Sequence, residues 1–197
     1  MVLHKTLILA SRSPRRVQLL RQIGLSVRVI ACDVPEEFDP LRSPEENAET
    51  LALQKARCIA PLVDEGIILG ADTIVVLDGR MLAKPADARD AVRMLTMLSG
   101  RTHTVVTGIA LVDRPSERSA TASETTRVTF RKIPQSEIEE YVAGGSPLDK
   151  AGAYGIQDDY GAVFVTRIEG CFYNVVGLPL ARLYATLQEF QHQTQPT

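Results

Sequence analysis

The feature that most limits what this chain can fold into lies near its start. There an apolar run, Leu7-Ile8-Leu9-Ala10, leads almost at once into Ser13-Pro14. A short apolar run reads as a buried strand. Ser13 is a favoured N-cap and Pro14 is pre-organised for the first helical position, so a helix starts within a few residues of the strand's end. Strand and helix patterns alternate in this way over the early chain, which points to an α/β fold. The same junction puts Arg15 and Arg16 in the first helical turn, where the helix dipole disfavours positive charge and Asp or Glu is the favoured choice. An anion held between the two arginines and the unpaired backbone N–H groups, most simply a phosphate, accounts for them. Two arginines solvated at the surface are the plain alternative.

Local signals mark the remaining elements. Residues 14–23 carry apolar Val17, Leu19, Leu20 and Ile23, with Gly24 as the stop. Residues 25–32 read as a second strand, followed by a polar loop. Ser43, Pro44 and Glu46 form a capping box that opens a helix reaching about Ala60. Residues 67–77 are a long apolar strand interrupted by Asp72, and Asp78-Gly79 is a type I′ hairpin signal leading into Met81-Leu82. Asp87 caps a helix closed at Gly100. Residues 103–112 and 121–130 read as strands. Ser136 and Glu139 suggest another capping box, and a Gly-rich loop at 144–157 precedes strands at about 162–169 and 172–175. Pro179 opens a final helix, and residues 191–197 read as a frayed tail. No linker divides the chain, so residues 1–197 are expected to form a single domain.

Composition narrows the function. A net charge of −2 and a pI near 6.0 argue against a nucleic-acid binder that relies on bulk positive field. No stretch reaches the roughly 18–20 apolar residues of a membrane span, and the N-terminal residues lack a signal-peptide pattern, which reads as a cytoplasmic protein. Cys32, Cys58 and Cys171 are odd in number and have no His at metal-ligand spacing, so they read as reduced packing residues.

Several residues could carry chemistry. Asp72 lies in Gly70-Ala71-Asp72-Thr73, inside an apolar strand, so its carboxylate must be paired, coordinated or protonated. Lys55 sits four residues from both Leu51 and Ile59, on the apolar face of its helix. Either it snorkels to water or it reaches inward to a site. Lys84-Pro85 follows the hairpin, and Glu36 and Glu37 lie in the loop after the second strand, where carboxyl-end loops of α/β sheets gather ligands. The loop ending in Gln157 combines Gly turns with an amide that can both donate and accept, which suits reading a base edge. His103 and Asn174 read as structural polar residues. No P-loop, GxGxxG, GxSxG or HExxH pattern occurs, so metal-assisted hydrolysis remains while covalent catalysis lacks a nucleophile.

Taken in order, Ala10-Ser11-Arg12-Ser13-Pro14-Arg15-Arg16, Gly70-Ala71-Asp72-Thr73, Lys84-Pro85, Ser99-Gly100-Arg101-Thr102-His103, the stretch from Pro147 to Gln157 and Val176-Gly177-Leu178-Pro179-Leu180 resemble the Maf family of nucleoside triphosphate pyrophosphatases. The resemblance implies a mixed twisted α/β sheet with flanking helices, related to the ITPase fold and forming two lobes around a central cleft, and often a homodimer. It implies cleavage between the α- and β-phosphates with a divalent metal, Mg²⁺ or Mn²⁺. Asp72 matches the family's proton acceptor. Arg15, Thr73 and Gln157 match its specificity positions, in the combination of the branch acting on dTTP and UTP. Ser13, Arg16, Glu36, Lys55 and Lys84 match other cleft residues, with Ser13, Arg16, Lys55 and Lys84 expected on the phosphates and Glu36 with Asp72 on the metal. The family reading also implies a nucleoside triphosphate as partner, and neither nucleic acid nor membrane. A nucleotide-binding regulator of cell division with incidental hydrolysis, or a pyrophosphatase for modified purine nucleotides, are the competing functions. Two departures stand out: Arg12 replaces a small residue, adding positive charge beside the phosphate site, and Asp158-Asp159-Tyr160 follows Gln157 where a smaller turn is usual.

Overall fold

The computed structural model describes residues 3–157 and 160–192. Its elements run β1 (Leu7–Leu9), α1 (Pro14–Gln22), β2 (Val27–Val29), α2 (Pro44–Ile59), β3 (Gly66–Leu77), β4 (Arg80–Leu82), α3 (Ala88–Leu98), β5 (Thr102–Arg114), β6 (Ser119–Phe130), α4 (Gln135–Ala143), β7 (Val165–Glu169), α5 (Phe172–Val176) and α6 (Leu180–His192). Seven strands form one sheet in the order β2-β1-β3-β5-β6-β7, with β4 paired to β3 off that path. β1 runs parallel to both neighbours, Leu7 facing Val27 on one side and Ile67 on the other. The β3–β4 and β6–β7 pairs are antiparallel, so the sheet is mixed, as expected of this α/β chain. No helix among the described residues is long and apolar enough to cross a membrane.

The chain divides into two compact units. One comprises Met1–Asp72, Thr107–Glu124 and Gly177–Thr197, the other Thr73–Val106 and Thr125–Val176. In the first, α2 lies on the sheet through a stripe of small residues. Ala48, Ala52 and Ala56 recur every four positions and are fully buried. Glycines stand opposite them. A Cβ on Gly70 would fall 2.0 Å from the Ala52 carbonyl oxygen, and one on Gly108 2.3 Å from the Ala48 carbonyl carbon. Helix backbone therefore rests against strand backbone, closer than any side chain permits. Ile8, Ile59, Val63, Ile68 and Val112 complete this core. The start of α2 is set by the expected capping box: Ser43 Oγ accepts from the Glu46 N–H at 3.1 Å, and the Glu46 carboxylate accepts from the Ser43 N–H at 2.8 Å.

The second unit packs α3 and α4 around Phe130 and Phe164, burying Leu95, Leu98 and Ile138 with Val75 and Val105. Asp87 caps α3 by accepting from the Asp90 N–H at 2.8 Å. Asp78 and Gly79 both have positive φ, 49° and 74°, the requirement of the type I′ turn that joins β3 to β4.

Several elements differ from expectation, each for a local reason. Residues 172–175 are helical, not a strand. Gly170 turns the chain at φ 127°. The Cys171 N–H then donates to Thr126 Oγ1 at 3.0 Å, and Asn174 Nδ2 donates to Val105 O and Thr126 Oγ1 at 2.9 Å. Positions three apart share a helix face but not a strand face, so these bonds select the helix. The Ser136–Glu139 box does not form; Pro134 occupies the N-cap of α4, and Glu139 accepts from Gln135 Nε2 at 2.8 Å instead. β2 is limited to three residues, and β7 begins only at Val165, after a 3-10 turn at Tyr160–Phe164. α6 continues through Gln191 and His192, where a frayed tail was expected from residue 191; residues 193–197, the rest of that expectation, lie outside the described residues. Cys32 and Cys58 are not reduced packing residues but a disulfide, because the loop after β2 runs beside the last turn of α2 with the two Cα atoms 6.3 Å apart; Cys171 is free.

Candidate active site

The site is built on the first unit from two places. At the start of α1, Ser13 holds the N-cap in extended conformation with Pro14 in the first turn, yet its hydroxyl makes no cap bond and the turn has no acidic residue. The organising group is Ser11. Its Oγ accepts from the Ser13 N–H at 3.2 Å and from Arg16 Nη1 at 3.0 Å. Both acceptor positions of the hydroxyl are thereby used, and its proton is left to donate. Arg16 is held a second time, its Nε donating to the Gly177 carbonyl at 2.8 Å. Arg12 does not add charge here: it pairs with Asp33 at 2.9 Å in a well-exposed surface bridge.

The second place is where α2 crosses β3. The backbone contact at Gly70 and Ala52 brings the helix against the strand, so Lys55, three residues past Ala52, reaches Asp72, two residues past Gly70. Lys55 Nζ donates to Glu36 Oε1 at 2.8 Å and to Asp72 Oδ1. With side-chain exposures of 12% for Lys55 and 7% for Asp72, the lysine reaches inward and does not snorkel. Burial pushes the Asp72 carboxyl above the ordinary carboxylate range. Lys55 opposes the rise, Glu36 adds to it, and Arg16 opposes it too. Burial likewise pulls the Arg16 guanidinium down, against Asp72 and with Arg15. Arg16, Lys55, Glu36 and Asp72 thus act on one another, two cations beside two carboxylates, and Arg15 acts on Arg16. A carboxyl whose pKa is raised is the stronger base once ionised, and with fixed cations around it can take a proton from water beside a polyanion.

Of the other residues singled out from sequence, Glu37 is exposed, and Thr73, Lys84 and Gln157 belong to the second unit. Thr73 is half-buried on β3 and Lys84 is exposed after β4. Gln157 Oε1 is buried and has no hydrogen-bond partner among the described residues, a costly state for an amide oxygen that a bound donor would relieve. Asp158 and Asp159, the departure noted after Gln157, lie outside the described residues, while the Tyr160 hydroxyl donates to Glu137 Oε1 at 3.1 Å.

Glu36 and Asp72 already share one cation, the Lys55 ammonium. No group of three or more His, Cys, Asp and Glu side chains suited to a metal gathers among the described residues. Such a pair fits a divalent ion of the Mg²⁺ kind, which takes one or two carboxylates from the protein and its other ligands from substrate phosphates and water.

A mixed α/β sheet that buries one carboxylate among an arginine-rich helix start and an inward lysine defines a protein built to act on a polyanion. The Maf-like protein family matches residues 6–190, and the chain belongs to that family. A dTTP/UTP pyrophosphatase of Pelotomaculum thermopropionicum is 47% identical over 94% of this chain and 97% of its own. A protein of the same name from Chlorobium luteolum is 49% identical over 93% and 96%. Among solved structures, the Staphylococcus aureus Ham1 protein shares the fold with a TM-score of 0.51, 17% identity and coverage of 97% of this chain and all of that one.

Sequence reasoning gave no role to Ser11 or Gly177, which hold Arg16. Ser11 stands within the motif, between the strand's end and the helix cap, and that placement was its only signal. Gly177 likewise stands within the stretch 176–180, but a carbonyl 161 residues from the arginine it receives leaves no local trace of that contact.

Proposed function

We propose that this protein hydrolyses dTTP and UTP to the nucleoside monophosphate and pyrophosphate. The observation that carries the reading is the buried Asp72 carboxyl, pushed up by burial and bonded to Lys55. Asp72 accepts a proton from the water that attacks the α-phosphorus, the α–β bridging P–O bond breaks, and pyrophosphate leaves. Arg15, Arg16 and Lys55 hold the triphosphate, and Lys84 joins them; these cations stabilise the charge that grows on the leaving group. The Ser13 and Ser11 hydroxyls and the uncapped N–H groups of α1 donate to the phosphate oxygens. Lys55 exchanges a carboxylate for a phosphate oxygen as substrate enters, which leaves Asp72 to act as base. Glu36 and Asp72 would hold a divalent ion, which when bound neutralises phosphate charge. Thr73 and Gln157 select the pyrimidine base, the buried Gln157 oxygen awaiting a donor such as the N3–H of thymine or uracil. The membership of the chain in the Maf family and the names of its relatives support this reading. The test is pyrophosphate release from a panel of nucleoside triphosphates with Mg²⁺. The expected result is turnover of dTTP and UTP well above dGTP and dATP, and binding of all four without release would overturn it.

A further inference from the structure

Near Gln157 the second unit contains a buried polar pair that its packing alone does not require. His103 on β5 is 2% exposed, and its Nε2 lies 2.8 Å from the hydroxyl of Tyr154, itself 6% exposed. Burial pushes the imidazole down to about 4 and the phenol upward, so both are neutral at pH 7. If Tyr154 donates to Nε2, one donor is left over, the Nδ1–H. If Nε2 donates to the phenol, both the phenol proton and the Nδ1 lone pair are left over. The first arrangement strands fewer groups, and His103 Nδ1 has no partner among the described residues.

The segment that Tyr154 terminates is held in uncommon backbone. Gly152 and Ala153 both have positive φ, 67° and 62°, and the second is a fully buried, non-glycine residue. A Cβ at Gly152 would meet Val75 at 2.9 Å, and the Gly152 N–H donates to the Ala83 carbonyl at 3.2 Å. The Gly155 N–H reaches the Tyr141 hydroxyl at 3.4 Å. Phe130 meets both rings of the pair edge-on. One short knot thus ties together the strand that follows Thr73, the residue before Lys84, and the approach to Gln157. Strained backbone and a buried unpaired N–H persist where the surroundings over-determine a conformation, and they gather at functional sites.

We propose that His103 and Tyr154 are a positioning pair for nucleotide selection, their hydrogen bond locking the loop that presents Gln157. The inference rests on the proposed function, because it names what holds that base-reading group in place. Neither residue touches substrate. With the bond lost, Gln157 samples more orientations, so affinity and base discrimination fall while the phosphate chemistry of the first unit continues.

The test compares the full-length wild type with Tyr154→Phe, His103→Leu and His103→Gln, the last keeping an acceptor near the position of Nε2. Steady-state kinetics on dTTP and dGTP are read beside inhibition by tripolyphosphate, which has no base. Hydrogen exchange of the peptide covering residues 150–157 is followed as well. Expected in Tyr154→Phe and His103→Leu are a KM for dTTP raised about tenfold, equivalent to 1.4 kcal/mol, little change in kcat, and a smaller dTTP preference. Tripolyphosphate inhibition stays constant, loop exchange quickens, and His103→Gln recovers part of each change. Variants that keep wild-type KM and preference, losing only thermal stability, overturn the inference. If one variant does not fold, the other two carry the comparison. A wild type inert on every nucleoside triphosphate defeats the proposed function instead; loop exchange that still depends on the pair then supports the positioning role, and exchange indifferent to it overturns that role too.

Discussion

Replacing Lys55 with Met removes an ammonium from a carboxyl that is 7% exposed and that burial already pushes upward. An opposite charge in contact lowers a carboxyl pKa by about 1–3 units, so Asp72 in the variant rises by about that much again. Because its folded-state pKa lies above the unfolded one, the stability Asp72 contributes is present at low pH and is lost as pH climbs through the folded value. The variant loses more of it. The gap in unfolding free energy between wild type and Lys55→Met is therefore smallest near pH 4 and widens with pH. It levels off about 1.4–4 kcal/mol larger once Asp72 is ionised in both proteins. For a chain of this length that is a melting-temperature gap growing by roughly 3–16 °C. Thermal unfolding by circular dichroism from pH 4 to 8 reads it directly. The same pair compared in an Asp72→Asn background removes this contribution and leaves only the share of Glu36, the other carboxylate on Lys55. A gap that stays constant across the pH range, or is the same in the Asp72→Asn background, refutes the coupling.

Two further outcomes follow from the fold. Gly70→Ala forces a Cβ against the Ala52 carbonyl; it should cost about 1–3 kcal/mol in a denaturant titration and slow turnover, because Lys55 withdraws from Asp72 as α2 shifts. Cys58→Ser opens the link to Cys32 across a sequence separation of 26. Chain-entropy arguments put its loss near 3.5 kcal/mol, so wild type in dithiothreitol and the variant should melt at the same lowered temperature.

What was legible in the chain is what neighbours decide. The capping box at Ser43 and Glu46, the cap at Asp87 and the Asp78-Gly79 turn are each settled within four residues, and each stands as read. Lys55 was marked by its place on an apolar face, which left two directions for it; the close approach at Gly70 decided in favour of the interior. Misreadings arose where distant partners decide. Asn174 makes residues 172–175 helical through Val105, 69 positions away, and Cys32 finds Cys58 only because the loop and α2 run side by side. Ser136 sits two residues too far along, since Pro134 already supplies the extended cap. Ser11 escaped notice because a hydroxyl at a strand's end has no periodicity, and its importance lies in two donors, the Ser13 N–H and Arg16, meeting at one oxygen.

Turnover depends on Asp72 activating the attacking water. Asp72→Asn keeps the shape of the side chain and removes the base, so pyrophosphate release from dTTP with Mg²⁺ at pH 8 is the direct measurement, with circular dichroism to verify the fold. The expected result is a folded protein whose kcat falls by about 10²–10⁴-fold. A folded variant that releases pyrophosphate at close to the wild-type rate would contradict it.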